Sequence, residues 1–167
     1  GKLLEEVDFA NDLADTPDLI ISTHNLEHIE NPVKDYIRLM EFVSDDTIFV
    51  IEVPDSELMI KNFRFDQIFH YHLHYFGLSS VLKFIEKIGG EYISHTYNYL
   101  NWGGSLIFVF RKKVKNNSRS KSPHTKPSMK LIKNNYNYFC KTMKGFKRAY
   151  EQLDCEIWGY GAGQMLP

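Results

Sequence analysis

Three histidines stand at alternate positions in a short aromatic stretch, residues 63–76. They are His70, His72 and His74, and Asp66 precedes them. An imidazole can take or give a proton near neutral pH, so a histidine cluster walled by aromatic rings suits general acid–base catalysis. In an extended backbone all three histidines point to one face, whereas in a helix only His70 and His74 align. The stretch therefore predicts a catalytic site.

Two other interpretations of this stretch stay open. A histidine among aromatic rings is often a structural residue with a satisfied hydrogen bond. Alternating histidines with Asp66 nearby also offer ligands that zinc, nickel and copper accept. The cysteines of the chain, Cys140 and Cys155, do not form the CxxC pair that structural zinc sites usually contain. We therefore predict no metal site.

The composition indicates a globular protein of about one domain, with 43% hydrophobic residues to build a core. Lys and Arg number 20 against 21 Asp and Glu, which argues against a nucleic-acid-binding surface over the whole protein. No apolar run is long enough to span a membrane. Two cysteines and no signal-like segment predict a cytoplasmic protein.

A strand, a helix and a second strand follow one another in the first third of the chain. The apolar runs Asp18–Ser22 and Thr47–Val53 predict buried strands of a parallel sheet, and residues 33–43 between them have helical periodicity behind Asn31-Pro32. Ligands of such sheets bind beyond the carboxyl ends of the strands. The polar residues at these ends are His24, Asn25, Glu27 and His28 after the first strand, and Glu52 and Asp55 after the second.

The remaining elements alternate between helix and strand. Residues 81–88 predict a helix capped by Ser79 or Ser80 and closed by Gly89-Gly90, and residues 91–99 and 105–110 predict an antiparallel pair. Residues 112–128 are basic and contain prolines, which indicates a linker. Residues 129–153 predict a further helix, and 155–158 a strand that enters the glycine turn Gly159-Tyr-Gly161. We assign 1–111 to one domain and 129–167 to the start of another.

The order of these motifs resembles the second half of a Rossmann-like S-adenosylmethionine-dependent methyltransferase, with parallel strands and a terminal antiparallel pair. More narrowly, the chain resembles the sugar C-methyltransferases, which act on nucleotide-linked keto-deoxysugars. The segments that carry this resemblance are Asp66–His72 with Tyr75-Phe76, Gly103–Leu106, and Gly159–Ala162. The resemblance implies an α/β methyltransferase domain, a linker helix and the start of a second Rossmann-like domain.

The resemblance also implies roles for individual residues. His72 would remove a proton from the carbon next to a ketone, and His70 or Tyr71 would donate a hydrogen bond to the enolate oxygen. Residues Asn25, Leu26, Glu27 and His28 would form a wall of the S-adenosylmethionine site. The residues that would bind the sugar nucleotide are Asp66, Tyr75, Gly159 and Gly161.

The chain departs from the family at two positions of one motif. The family pattern Tyr-His-Glu-His corresponds here to Phe69-His-Tyr-His72, so a phenol and a carboxylate are replaced. A catalytically degenerate nucleotide-sugar-binding protein, or a methyltransferase for another small molecule, is therefore the alternative hypothesis. The glycine-rich cofactor loop and cysteine-rich zinc region that begin the family are not among these residues, so we expect a fragment that is inactive alone.

Overall fold

The computed structural model describes residues 4–13, 15–100, 103–113 and 127–156. The strands are β1 (Leu19–Thr23), β2 (Ile48–Pro54), β3 (Gly90–Asn98) and β4 (Ser105–Lys112). The helices are α1 (Phe9–Asp12), α2 (Pro32–Phe42), α3 (Ser56–Lys61), α4 (Leu78–Lys87) and α5 (Met129–Glu151). Short 3-10 turns lie at Leu4–Glu6, Leu26–His28 and Phe65–Gln67.

The four strands form one mixed sheet in the order β1-β2-β4-β3. Strands β1 and β2 are parallel, and Leu19 pairs with Ile48. Strand β4 is antiparallel to both β2 and β3. The predicted α/β sheet, with parallel strands and a terminal antiparallel pair, is confirmed, and β1 and β2 therefore end at the same edge of the sheet.

One face of the sheet is covered by α2 and α4. Side chains alternate along each strand, so every second residue of β2 and β4 enters the core on this face. Tyr36 of α2 has its ring 5.3 Å from that of Phe84 in α4 and 6.5 Å from that of Phe49 in β2. The buried strand residues on this face are Phe49, Ile51, Val53, Leu106, Phe108 and Phe110. On the opposite face, Leu19 and Ile21 are exposed. The prediction that the first strand is buried is therefore wrong, because β1 is an edge strand of the sheet and none of its residues is buried.

Most predicted boundaries agree with the structure to within a few residues. Asn31 caps α2 by accepting a hydrogen bond from the Lys34 amide, and Pro32 is the first helical residue, as predicted. The predicted cap of α4 is wrong: the helix begins at Leu78, and Ser80 lies in its first turn, where its hydroxyl accepts a hydrogen bond from the Gly77 amide. Gly89 follows α4 at φ +76°, a left-handed conformation that glycine adopts without strain.

The helix α5 confirms the predicted helical segment. Its first half contacts α3 and the turn after it: the side-chain amide Nδ2 of Asn135 donates to the carbonyl of Ile60, and the ring of Phe65 lies 5.5 Å from that of Tyr136. Cys155 and Glu156 are not in a strand, and residues 157–167 lie outside the described part. None of the described helices combines the length and apolar character that crossing a bilayer requires.

Candidate functional site

The loops that follow β1 and β2 lie against the histidine stretch. After β1, the backbone makes a 3-10 turn at Leu26–His28, and His24 adopts a positive φ of 48°. The amide of His24 donates to the carbonyl of Glu52, which holds this loop at the end of β2. The side chains of the two loops also meet, since His24 Nε2 lies 3.8 Å from Glu52 Oε1. The prediction that polar residues gather at this edge of the sheet is confirmed for these residues.

The histidine stretch is not an extended strand. A turn forms at residues 69–72, where the amide of His72 donates to the carbonyl of Phe69. The hydroxyl of Tyr75 folds back on this turn, accepting from the Phe69 amide at 3.2 Å. The arrangement with three histidines on one face of an extended backbone is therefore absent from the described structure. The turn brings His72 inward and leaves His70 exposed beside the Tyr71 ring.

The loops after β1 and around His72 are held together by two long-range hydrogen bonds. The amide of His74 donates to the carbonyl of Glu27 at 3.1 Å. The Nδ1 atom of His28 lies 2.7 Å from the carbonyl of Tyr71. A carbonyl can only accept, so His28 carries a proton on Nδ1, and in a neutral ring Nε2 is the atom with the free lone pair.

The carboxylate of Glu27 lies at the centre of this cluster. Its residue is 1% exposed, and neither carboxylate oxygen has a hydrogen-bond partner among the described residues. Three imidazoles surround Oε1: His24 Nδ1 at 3.6 Å, His28 Nε2 at 3.8 Å and His72 Nε2 at 4.0 Å. These distances exceed normal hydrogen-bond lengths.

Burial changes the protonation of this cluster. Desolvation raises the pKa of Glu27 above its ordinary value, although its own backbone, His28 and His24 oppose the rise. Desolvation also lowers the pKa of His72, and the neighbouring His28 and His24 lower it further. The imidazole of His72 is therefore neutral over a wider pH range than a solvated one.

A pocket opens beside His72, beyond the end of β2. Phe69 packs on the inner side of the imidazole, with the two rings 4.1 Å apart, and Tyr75 contacts it edge-on. The lining residues are Pro54, Asp55, Ser56, Met59, Gln67, His72, His74 and Tyr75. This is the position at which open α/β sheets bind ligands.

The structure separates the residues that the sequence assigned to the cofactor. Asn25 is exposed and His28 is partly exposed at the end of β1, where both are accessible to a ligand. Leu26 is 0% exposed and belongs to the hydrophobic core. Glu27 faces the histidines and is buried as well. The four neighbours therefore have different surroundings.

The residues assigned to the substrate and to the enolate are also divided. Tyr75 lines the pocket, but Asp66 binds Arg64 through two hydrogen bonds of 2.9 Å. The Tyr71 side chain is 56% exposed, and His70 lies beside it, so neither is grouped with His72 in the pocket lining. Gly159 and Gly161 lie outside the described residues.

Several residues that line the pocket were not predicted from the sequence. Ser56 and Met59 belong to α3, a six-residue helix that was not predicted. The sequence does contain a signal for this helix, because Asp55 is a helix-capping residue type. In the structure its carboxylate accepts from the Glu57 amide at 2.9 Å. Nothing in the sequence indicated that Glu27 lies at the centre of the cluster, because this depends on His72, 45 positions further along the chain.

The same cluster can hold a metal ion. Glu27, His28 and His72 each offer one ligand atom, and these atoms lie within 4.8 Å of one another. This set differs from the alternating histidines with Asp66 that the sequence suggested as ligands. It draws its residues from two loops instead of one stretch.

Comparisons with known proteins give a partial match. No family model matches the sequence. The C-methyltransferase NovU from Streptomyces niveus is 36% identical over 66 residues, which cover 39% of this chain and 15% of NovU. A solved magnesium protoporphyrin IX methyltransferase, ChlM from Synechocystis PCC 6803 with bound SAH, has 11% identity and a TM-score of 0.45, over 61% of this chain and 48% of ChlM. The predicted resemblance to a C-methyltransferase is confirmed over those 66 residues, a small share of that relative's length.

Proposed function

We propose that this chain carries part of the active site of an S-adenosylmethionine-dependent C-methyltransferase. The methyl acceptor is a carbon next to the ketone of a nucleotide-linked keto-deoxysugar. The observation that carries the proposal is the position of His72, whose imidazole lines the pocket at the carboxyl ends of the strands. The partial similarity to a C-methyltransferase supports the same reaction.

His72 acts as the general base in this proposal. It removes the proton from the carbon next to the ketone, and the electron pair moves onto the oxygen as an enolate. With S-adenosylmethionine bound, the enolate carbon would take the methyl group as the carbon–sulfur bond of the sulfonium breaks. Phe69 and Tyr75 fix the plane of the imidazole by ring contacts, which orients its lone pair before the substrate binds.

S-adenosylmethionine, when bound, would supply the methyl group as a sulfonium. The exposed Asn25 and the partly exposed His28 fit one wall of its site. Both residues follow β1, and the neighbouring strand β2 ends at the pocket. Tyr75, together with Gly159 and Gly161, binds the sugar nucleotide in the proposal. His70 and Tyr71 reach the enolate only if the turn at residues 69–72 rearranges, so their roles need substrate binding to move the loop.

A cytoplasmic setting belongs to the same proposal. Cys140 and Cys155, both within the described residues, are free thiols. Free thiols are stable in a reducing compartment such as the cytoplasm.

Methyl transfer by the full-length protein tests this function. We expect transfer from S-adenosylmethionine to a nucleotide-linked keto-deoxysugar, with the new methyl group on carbon by NMR. His72→Gln should lower the rate about a hundredfold or more because the base is lost, whereas Glu30→Gln, at an exposed position of the loop after β1, should change it far less. Methylation on oxygen or nitrogen, or equal rates for the wild type and His72→Gln, would contradict the proposal.

A further inference from the structure

We propose that Glu27, His28 and His72 form a binding site for one divalent transition-metal ion of the zinc class. The starting observation is the Glu27 carboxylate, which is 1% exposed and has no hydrogen-bond donor on either oxygen among the described residues. A buried charge is costly unless it is paired, so this side chain is incomplete as it stands. A cation between the three side chains completes it.

The ligand types and their spacing fit such an ion. Oε1 of Glu27 lies 3.8 Å from His28 Nε2 and 4.0 Å from His72 Nε2. All three ligand atoms lie within 4.8 Å of one another. Ligands of a tetrahedral zinc ion at bond lengths of about 2.1 Å lie about 3.4 Å apart, so the separation of each pair needs to shorten by about 1.4 Å or less. Two imidazoles and one carboxylate are also a ligand set that zinc accepts with a water molecule in the fourth position.

The hydrogen bond of His28 is an independent indication of a metal site. Its Nδ1–H donates to the Tyr71 carbonyl at 2.7 Å, which turns Nε2 and its lone pair toward Glu27. Metal-binding histidines almost always donate their second ring N–H to a carbonyl or carboxylate in this way. In the neutral ring this lone pair faces the Glu27 carboxylate oxygen at 3.8 Å, and a cation between the two atoms would bind both.

Metal binding and proton abstraction exclude each other at His72. A neutral imidazole has one basic nitrogen, so a ring bound to metal through Nε2 keeps its proton on Nδ1 and cannot accept another. The metal-loaded protein is therefore the form in which His72 is unable to act as a base. The metal site itself does not depend on the proposed methyl transfer, and each is tested separately.

Zinc binding to the 167-residue chain, produced without a histidine tag and freed of metal by a chelator, tests the site. Calorimetry with ZnCl2 should give one ion per chain with a micromolar or tighter Kd, and the midpoint of thermal unfolding should rise. Glu27→Gln, His28→Gln and His72→Gln should each weaken binding at least tenfold. His70→Gln is the matched control, because it removes an exposed histidine from the same loop and should bind as the wild type does.

Two further measurements keep the test decisive. His28 is partly exposed, so His28→Gln is expected to fold even if a change at buried Glu27 does not. Co²⁺ added to the wild type should give visible absorption of a low-coordination site, which needs no variant. Absence of one-to-one Zn²⁺ binding in the wild type, or an equal loss in His70→Gln, would overturn the proposal. Unchanged methyl transfer by a protein saturated with Zn²⁺ would overturn the exclusion at His72.

Discussion

At the level of single residues, the buried carboxylate of Glu27 dominates the electrostatics of the site. Its oxygens lie among three imidazoles, yet no donor is close enough for a hydrogen bond within the described residues. The sequence placed Glu27 at the end of a strand, because the strand and the following helix cap are local signals. It did not indicate burial, which arises from the Tyr71 and His74 contacts of a distant loop.

Replacing this carboxylate by its neutral isostere should stabilise the metal-free protein. We expect Glu27→Gln to raise the free energy of unfolding by about 1 kcal/mol, since an amide is less costly to bury than an unpaired charge. Urea denaturation at pH 7 in the presence of a chelator measures the change. Glu30→Gln, at an exposed position of the same loop, is the control and should stay within about 0.5 kcal/mol. A loss of stability in Glu27→Gln would contradict this account of the site.

At the level of elements, the predictions succeeded where periodicity was strong. Strands β1 and β2 are continuous apolar runs, and α2 begins with a cap and a proline, so local chemistry specified them. The turn at residues 69–72 was not predicted because alternating histidines suit a strand equally well. The hydrogen bonds that select the turn involve Tyr75 and two residues of another loop. Tertiary contacts therefore determined the backbone of the histidine stretch.

The two faces of the sheet should respond differently to the same substitution. Ile51 is 0% exposed on the covered face, whereas Ile21 is 65% exposed on the other. Ile51→Ala should lower the free energy of unfolding by about 2 to 5 kcal/mol because it leaves a cavity. Ile21→Ala should lower it by less than about 1 kcal/mol. Urea denaturation of both variants measures the difference, and equal costs would contradict the assignment of the core to one face.

Asp55 caps the N-terminus of α3, and its contribution to the stability of the protein can be tested. Asp55 accepts from the Glu57 amide, and burial raises its pKa above the ordinary value. The folded protein then holds this proton more tightly than the unfolded chain, so this group's contribution to stability is present below its unfolded pKa and is lost as pH rises through its folded pKa.

Two substitutions at Asp55 separate the cap from the charge. Asp55→Asn keeps an acceptor for the cap and should remove this loss of stability with rising pH. Asp55→Ala also removes the cap and should cost about 1 kcal/mol at all pH values. Denaturation from acid to neutral pH compares the variants. A stability profile of Asp55→Asn that is parallel to the wild type would show that this carboxyl does not titrate abnormally.

At the level of the whole molecule, the fold brings several imidazole and carboxylate side chains together at one edge of the sheet. The parallel pair β1 and β2 brings two polar loops together, and the turn around His72 closes over them. The sequence predicted this meeting place from the topology of a strand–helix–strand unit. It assigned Leu26 and Asp66 to ligand binding, while the structure places one in the core and the other in an ion pair with Arg64.

In the proposed reaction, His72 is the base that removes a proton from the carbon next to a ketone. Exchange of this proton with solvent measures the step alone. The full-length protein is incubated in D2O with a nucleotide-linked keto-deoxysugar and SAH, which has no methyl group to transfer. We predict deuterium at the carbon next to the ketone for the wild type and for the control Glu30→Gln, with exchange lowered about a hundredfold or more in His72→Gln. Exchange that persists in His72→Gln at the wild-type rate would contradict the account.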